Sequence, residues 1–203
     1  MDTVIKDKVD KVFERFTKIG QVYSEILELS EEIAKLNPKN ILEIGTGEGG
    51  TFFLWQLLGS GKIISIDLPN GPFGGIWYPK ERNKSLEQDN SFFITGDSKD
   101  LRVKTELKRL LDGELLDVLF IDGDHSYGGI KHDYLYYKNY VKKGGIIAFH
   151  DIGDNDLNNK TDCQCRKFFL EIPGDKKVID HQTNFPISPK DVPVGGIGWL
   201  LKK

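Results

Sequence analysis

The chain has 203 residues, enough for one domain with a substantial core and too few for a second domain of ordinary size. Hydrophobic residues make up 38% and charged residues 29%, which is typical of a globular protein and excludes a disordered chain. The formal net charge is −3, so we expect no nucleic-acid partner, because a phosphate backbone needs a positive surface. We therefore predict a single domain over residues 1–203.

The first residues and the cysteines indicate the compartment. The opening segment MDTVIKDKVDKVFERF alternates charged and apolar residues, so we do not expect it to be a secretory signal peptide. No later stretch approaches the ~20 apolar residues of a membrane span. Cys163 and Cys165 are too close in sequence for a disulfide between two strands. We expect a protein of the reducing cytoplasm without a membrane partner.

Two helices come first in chain order. Apolar residues at helical spacing predict them over Asp2–Lys18 and Gln21–Leu36, and Asn37-Pro38 ends the second. Both precede the first predicted strand, so we expect residues 1–38 to pack across the edge of the sheet or to form a lid. In either arrangement they are a helical cap on a core of residues 39–203, and they offer a surface for a homo-oligomer.

From Asn40 onward, short apolar runs alternate with helical stretches. Continuous apolar strands separated by helices indicate a parallel sheet covered on both faces, and right-handed crossovers make this a doubly wound, Rossmann-like α/β sandwich. The predicted strands are Ile41–Ile44, Ile63–Ile66, Phe92–Thr95, Leu116–Ile121 and Gly145–Phe149, and the helices are Thr51–Leu58, Pro79–Gln88, Asp100–Leu111 and Tyr127–Val141. A polar loop (Asp154–Thr161), a helix (Cys163–Glu171) and two strands (Lys177–Asp180, Gly196–Leu201) follow.

A glycine-rich turn lies between the first strand and its helix. Gly45, Gly47 and Gly50 allow a tight turn and let a polar cofactor approach the backbone, and they also satisfy the dinucleotide fingerprint GxGxxG. Glu43 at the strand end is placed to anchor the turn or to face a cationic group. Asp67, at the end of the second strand, is placed to accept hydrogen bonds from two ribose hydroxyls in either cofactor class.

Several motifs in order then resemble one family. LEIGTGEGGT, SIDL, TGDS, VLFIDGDHSY and KKGGIIAFHD are similar to the class I S-adenosylmethionine-dependent methyltransferases, especially the small-molecule branch with cephalosporin-hydroxylase-like and sugar O-methyltransferase-like proteins. The similarity runs from about Ile41 to Ile152. GGIGWLL resembles that family's last strand, which implies a mostly parallel, seven-stranded sheet with an antiparallel C-terminal strand.

The resemblance also implies how S-adenosylmethionine binds. Glycines of the turn and Glu43 would line the methionine part, Asp67 would take the ribose, and Asp97 with Ser98 would lie beside the adenine. The complete predicted cofactor-binding set is Glu43, Gly45, Thr46, Gly47, Gly49, Asp67, Leu68, Gly96, Asp97, Ser98 and Asp122.

Polar side chains follow the fourth and fifth strands, whose carboxyl ends share the sheet edge with the glycine turn. We expect six to converge there: Asp122, Asp124, His125, Tyr127, His150 and Asp151. In one interpretation, Asp122, His150 and Asp151 bind a divalent cation, Mg²⁺ or Mn²⁺, that activates the acceptor hydroxyl. Related metal-dependent enzymes carry an acidic or amide pair where this chain has His150-Asp151, which is a departure from the family pattern.

In the other interpretation no metal is bound, and His125 or His150 acts as the general base. Catalytic roles therefore fall on His125, His150 and Asp122. Plainer roles exist: Asp124 and His125 near a helix N-cap, and His150 and Asp151 as strand-end or loop residues. The loop Leu68–Tyr78 is either a lid or an irregular connection, and Cys163-Gln164-Cys165 lacks the second pair that a structural zinc needs.

Three functions fit these observations. The favoured one is a methyltransferase acting on a hydroxyl of a small molecule, with or without a metal. The alternatives are a nicotinamide-dependent oxidoreductase, supported by GxGxxG and Asp67, and a non-catalytic S-adenosylmethionine-binding protein. Against the oxidoreductase, the chain has no second domain for a substrate.

Overall fold

Seven strands form one sheet in the computed structural model, which describes residues 2–16, 19–69, 86–154, 163–181 and 195–203. The strands are β1 (Ile41–Ile44), β2 (Ile63–Asp67), β3 (Ser91–Thr95), β4 (Leu116–Ile121), β5 (Val141–Phe149), β6 (Lys177–Ile179) and β7 (Ile197–Leu201). Their order across the sheet is β3-β2-β1-β4-β5-β7-β6. Only β7 runs against its neighbours β5 and β6, so the predicted fold class is confirmed.

Helices cover both faces of the sheet. They are α1 (Thr3–Arg15), α2 (Tyr23–Ala34), α3 (Gly50–Leu58), α4 (Leu101–Leu111), α5 (Tyr127–Tyr137, followed by a 3₁₀ turn over Lys138–Tyr140) and α6 (Cys165–Glu171). None of the helices within the described ranges combines the length and the apolar character that crossing a bilayer requires.

Alternation along the strands sorts the core into two clusters. In β1, Leu42 and Ile44 pack with the face that α4, α5 and α6 cover, whereas Ile41 packs with the face of α1, α2 and α3. All are buried, as expected for a parallel strand with helices on both sides. Glu43 shares the side of Ile41, which directs its carboxyl toward α3.

The two N-terminal helices complete one face of the sandwich. Val9 and Val12 of α1 are fully buried in the cluster that includes α3, and α2 lies against β6 and β7. The two helices thus cover a face of the sheet, while the segment between them reaches its carboxyl edge, where Gln21 contacts Asp122. Each helix has an apolar stripe, and the open sheet face offers far more apolar surface to cover it than an edge does.

Several element boundaries also differ from the prediction. The helix expected to reach Val141 ends at Tyr137, because Val141 already pairs with Leu116 at the start of β5. The pairing of β4 with β5 then shifts register, and regular pairing resumes at Ile146. Most of the predicted helix Pro79–Gln88, of the loop Leu68–Tyr78 and of the loop Asp154–Thr161 lies outside the described residues.

Candidate active site at the carboxyl edge of the sheet

The glycine turn joins β1 to α3 with left-handed backbone at two critical positions. Gly45 has φ 85°, and a Cβ there would lie 1.9 Å from the carbonyl oxygen of Asp122, so β1 and β4 approach too closely for any side chain. Gly47 has φ 50°, and a Cβ there would meet no atom of the described residues within 4 Å. The turn is therefore closed toward β4 and open at Gly47, where a ligand can reach the backbone that leads into α3.

Asp67 lies across this turn. Its Oδ2 accepts a hydrogen bond from the Thr46 amide at 3.1 Å, and its Oδ1 accepts one from the Leu68 amide at 2.7 Å. Burial raises the pKa of Asp67, although amides of Leu68, Thr46 and Gly47 counteract this. Each oxygen has a second lone pair, so the carboxylate can still accept from ligand hydroxyls. Leu68 itself is 45% exposed beside it.

Glu43 and Thr46 point into the protein instead of toward the open side. Glu43 is fully buried and accepts a hydrogen bond from Trp55 Nε1 at 2.8 Å. Burial raises its pKa to about 8, although hydrogen bonds from Thr51, Trp55 and Thr46 act to lower it. The Thr46 hydroxyl contacts that of Ser65. This geometry favours the anchoring role for Glu43, and its contact with the cofactor stays a prediction.

Side chains of α5 fix the loop after β3. Gly96 donates its amide to the Asp67 carbonyl at 2.8 Å, and Asp97 accepts from the amide of Lys99. Ser98 donates its hydroxyl to Asp133 Oδ1 at 2.6 Å, and its carbonyl accepts from the Tyr137 hydroxyl at 2.6 Å. The loop that would contact adenine is thus fixed by two residues of one helix.

Asp133 and Tyr137 were missed by the sequence analysis, although one signal was available. Both are fully buried on the face of α5 that includes Ile130, three residues before Asp133. Burial raises the pKa of Asp133, while Ser98 and His132 act in the opposite direction. An acid in register with the apolar face of a helix indicates a buried polar partner.

Four ionisable side chains meet at the ends of β4 and β5. His125 Nε2 lies 3.4 Å from Asp122 Oδ1 and 3.4 Å from Asp151 Oδ2. His150 Nδ1 lies at the same two distances from the same two oxygens. Two carboxylates and two imidazoles therefore alternate around one point, and we call these four residues the Asp-His cluster.

The charges within the Asp-His cluster reinforce one another. Burial would lower the pKa of His125, but hydrogen bonding to Asp122 and the negative charges of Asp151 and Asp122 raise it to about 9. For His150 too, the two carboxylates outweigh burial and raise the pKa well above its ordinary value. Burial opposes ionisation of Asp122, yet the imidazoles of His150 and His125 hold its pKa low. The carboxylates of Asp122 and Asp151 thus favour the protonated form of both imidazoles.

The donor set of the Asp-His cluster suits a divalent metal ion. Asp122, His125 and Asp151 each offer one ligand atom, and these atoms lie within 4.8 Å of one another. His150 Nδ1 faces the same carboxylates, and its Nε2 is buried without a hydrogen-bond partner among the described residues. Mixed carboxylate and imidazole ligands favour Mn²⁺ or a later transition metal over Mg²⁺. Beside the predicted ligands Asp122, His150 and Asp151, the geometry therefore adds His125.

Two of the six residues expected here lie elsewhere. Asp124 pairs with Lys99 Nζ at 2.6 Å and accepts from the amide of Ser126, which is the N-cap of α5. The Tyr127 hydroxyl donates to Glu171 at 2.5 Å. Both prefer partners on the outer surface, because the chain turns away from the sheet edge after His125 to begin the helix. The prediction that all six converge is wrong for these two.

A further residue of the site comes from far away in sequence. Gln21, between α1 and α2, donates Nε2 to Asp122 Oδ2 at 3.1 Å and is only 2% exposed. No local pattern pointed to it, since its partner lies 101 residues along the chain.

The two cysteines contact the backbone of the Asp-His cluster. Cys163 Sγ is 3.6 Å from the Asp151 carbonyl, and Cys165 Sγ is 3.9 Å from that of His125. Both are free thiols.

Comparison with known proteins points to a common family. A family model described as a methyltransferase domain matches residues 42–152. An uncharacterized protein of Acanthamoeba polyphaga mimivirus is 31% identical over 145 residues, which are 68% of this chain and 63% of that protein. The match thus spans less than two thirds of the relative's length.

Solved structures share the fold at low identity. An O-methyltransferase from Bacillus cereus in complex with SAH has a TM-score of 0.62 and 18% identity, covering 100% of this chain and 92% of its own. The O-methyltransferase TomG from Streptomyces achromogenes, in complex with SAM, has a TM-score of 0.62 and 14% identity, covering 100% and 91%. MycE from the mycinamycin pathway, in complex with Mg, SAH and mycinamycin VI, has a TM-score of 0.54 and 17% identity over 73% of this chain and 39% of its own.

Proposed function

This chain belongs to the methyltransferase-domain family, and we propose that it transfers the methyl group of S-adenosylmethionine to a hydroxyl of a small molecule. The observation that supports this best is the position of the Asp-His cluster. It lies at the ends of β4 and β5, on the same sheet edge as the open Gly47 turn and Asp67. A cofactor held at that turn brings its reactive end toward ionisable groups that can handle an acceptor proton.

The residues present fit the cofactor. No described residue covers the Gly47 backbone, and the half-exposed Asp67 has lone pairs for the ribose hydroxyls. Asp97 and Ser98 form the wall where adenine would lie, and Ser98 is fixed by Asp133. Gly45, Gly49, Gly96 and Leu68 would shape the remainder of the binding surface, as the sequence analysis predicted.

The reaction moves one methyl group and one proton. The methyl carbon leaves the sulfonium sulfur for the acceptor oxygen, S-adenosylhomocysteine is released, and the hydroxyl proton must go to a base. His125 is the base we favour, because its side chain is 35% exposed whereas that of His150 is 4% exposed. Since the neighbouring carboxylates raise the pKa of His125 to about 9, only the neutral form of its imidazole accepts the proton, and methyl transfer should become faster as pH rises toward 9. Asp122 and Asp151 hold the His125 ring in place and stabilise its positive charge.

A divalent ion held by Asp122, His125, His150 and Asp151 would supply Lewis-acid activation of the acceptor hydroxyl. A bound ion and the protons of the two imidazoles would each neutralise the same two carboxylates. The metal site and the metal-free general base are therefore alternative states of one cluster. A small-molecule acceptor, a cytoplasmic location and a homo-oligomer remain predictions, as does the division into residues 1–38 and 39–203.

Calorimetric titration with S-adenosylhomocysteine, S-adenosylmethionine and NADH tests the cofactor. We expect binding of the first two only. Replacing Asp67 with Ala should weaken this binding by about tenfold to a hundredfold, because the ribose loses a charged acceptor. Asp175→Ala, on an exposed turn before β6, is the matched control and should bind normally. Binding of NADH alone would refute the proposal, and binding without transfer to any hydroxyl acceptor would leave the non-catalytic alternative.

Metal binding is tested separately on protein dialysed against EDTA. Titration with Mn²⁺ should show one site, and Asp151→Asn should weaken it at least tenfold, since the amide replaces an anionic ligand. Asp175→Asn serves as control. If both variants bind Mn²⁺ as the wild type does, or if no ion binds, the cluster works through its histidines alone.

A further inference from the structure

Gln21 has a buried acceptor that no described residue uses. The side chain is 2% exposed, and its Nε2 donates to Asp122 Oδ2 at 3.1 Å. The other end of the amide, Oε1, is buried and has no hydrogen-bond partner among the described residues. A buried amide oxygen without a partner is destabilising, and in a native structure it commonly faces a ligand or an ordered water.

The surroundings of Gln21 indicate which ligand this is. The segment that leads to Gln21 passes directly over the start of α3, since a Cβ on Gly50 would lie 2.6 Å from Ile19 Cγ1. Gln21 thus lies between the glycine turn on one side and the carboxylate of Asp122 on the other. The Asp122 carboxylate is one acceptor beside this turn, and Gln21 Oε1 is a second. Two neighbouring acceptors favour a ligand group with several N–H donors, and a positive charge on that group suits the carboxylate.

We propose that Gln21 binds the α-ammonium group of S-adenosylmethionine and makes the site selective for a cofactor that carries an amino acid. This inference depends on the proposed function and assigns to Gln21 a role that the sequence motifs do not contain. Nε2 donates to the Asp122 carboxylate, so that Oδ1 faces the imidazoles, while Oε1 accepts a hydrogen bond from an N–H of the ammonium. The N-terminal segment is then part of the binding site, in addition to covering the sheet.

The test compares S-adenosylhomocysteine with an analogue in which hydrogen replaces the α-amino group. Calorimetry on the wild type should show about tenfold to a hundredfold weaker binding of the analogue, the value of a charge-assisted hydrogen bond. Gln21→Met has similar shape but cannot accept, so it should bind both ligands with nearly equal, weak affinity. Gln56→Met is a matched control. Gln56 on α3 also has a buried Oε1 that bonds to none of the described residues, but its Nε2 donates to Leu86 and Ser91 instead of Asp122.

The outcomes separate this inference from the proposed function. A Gln21→Met protein that keeps the wild-type preference for the amino group refutes the role of Gln21 and leaves the methyltransferase proposal intact. A wild type that binds neither ligand refutes both. If Gln21→Met does not fold, as judged by circular dichroism, Gln21→Asn retracts the oxygen by one methylene and must also reduce the preference. An unchanged preference in Gln21→Asn, with Gln56→Met normal, would overturn the inference.

Discussion

Replacing Glu43 with Gln should change how the stability of the protein depends on pH. The carboxyl of Glu43 is fully buried, and its pKa rises from the ordinary 4.5 to about 8. Between these two values the folded chain keeps the proton and the unfolded chain loses it. The unfolded state therefore binds fewer protons, and the free energy of unfolding falls as pH rises. Glutamine stays neutral throughout, and its oxygen can still accept from Trp55.

The magnitude follows from the width of this interval. Each unit of pKa difference corresponds to ~1.4 kcal/mol, so the wild type should lose ~4 kcal/mol relative to Glu43→Gln between pH 5 and pH 8. Above pH 8 both states have released the proton, and the difference should become constant. Any fixed effect of the amide on packing shifts the whole difference curve and leaves its slope unchanged.

Urea unfolding at pH 5, 6, 7, 8 and 9, followed by tryptophan fluorescence, measures the difference directly. Titration of the histidines changes the free energy of unfolding of both proteins equally, so it cancels in the difference between them. Glu14→Gln, on the exposed face of α1, is the control and should follow the wild type at every pH. If the curves for Glu43→Gln and wild type run parallel from pH 5 to 8, Glu43 ionises normally and the argument from burial is wrong.

Two further predictions concern the turn and the loop beside it. Gly45→Ala should destabilise the protein by ~2–5 kcal/mol in thermal unfolding, because its Cβ would overlap the Asp122 carbonyl on left-handed backbone. Gly47→Ala, where the added Cβ meets no described residue within 4 Å, should lose only ~1–2 kcal/mol but bind S-adenosylhomocysteine more weakly. Equal melting temperatures of the two variants would contradict this. Ser98→Ala should lose ~1–3 kcal/mol by removing a donor to the buried Asp133, and an unchanged melting temperature would show that the bond contributes nothing.

The strands were the most predictable part of the fold. The apolar runs of β1 and β4 end at Gly45 and Asp122, where a glycine turn and a polar residue interrupt burial, and both strands were predicted at their observed bounds. The start of β5 was not predicted, because Val141 and the lysines after it have the pattern of the end of a helix. Only the pairing with Leu116 decides their conformation, and pairing partners are not visible in a local pattern.

The sequence predicted those residues of the site whose position is determined by the end of a strand. Residues that directly follow β4 and β5 reach the same edge, which places Asp122 beside His150 and Asp151. Asp124 follows β4 almost as closely, yet its side chain turns to Lys99, because side-chain direction depends on the local turn and not on the strand. Gln21 was out of reach, because its partner is chosen by the packing of whole helices.

The antiparallel strand β7 has a consequence for how the protein is made. It inserts between β5 and β6, and the backbone just before it pairs with the loop after β5: Ile152 donates to the Gly196 carbonyl and Gly153 to that of Gly195. During synthesis, β5 is therefore an unprotected, apolar edge until residues 195–201 leave the ribosome, and β6 has no neighbour to join. Nascent or truncated chains that lack this last strand should be substrates for chaperones and should aggregate through β5.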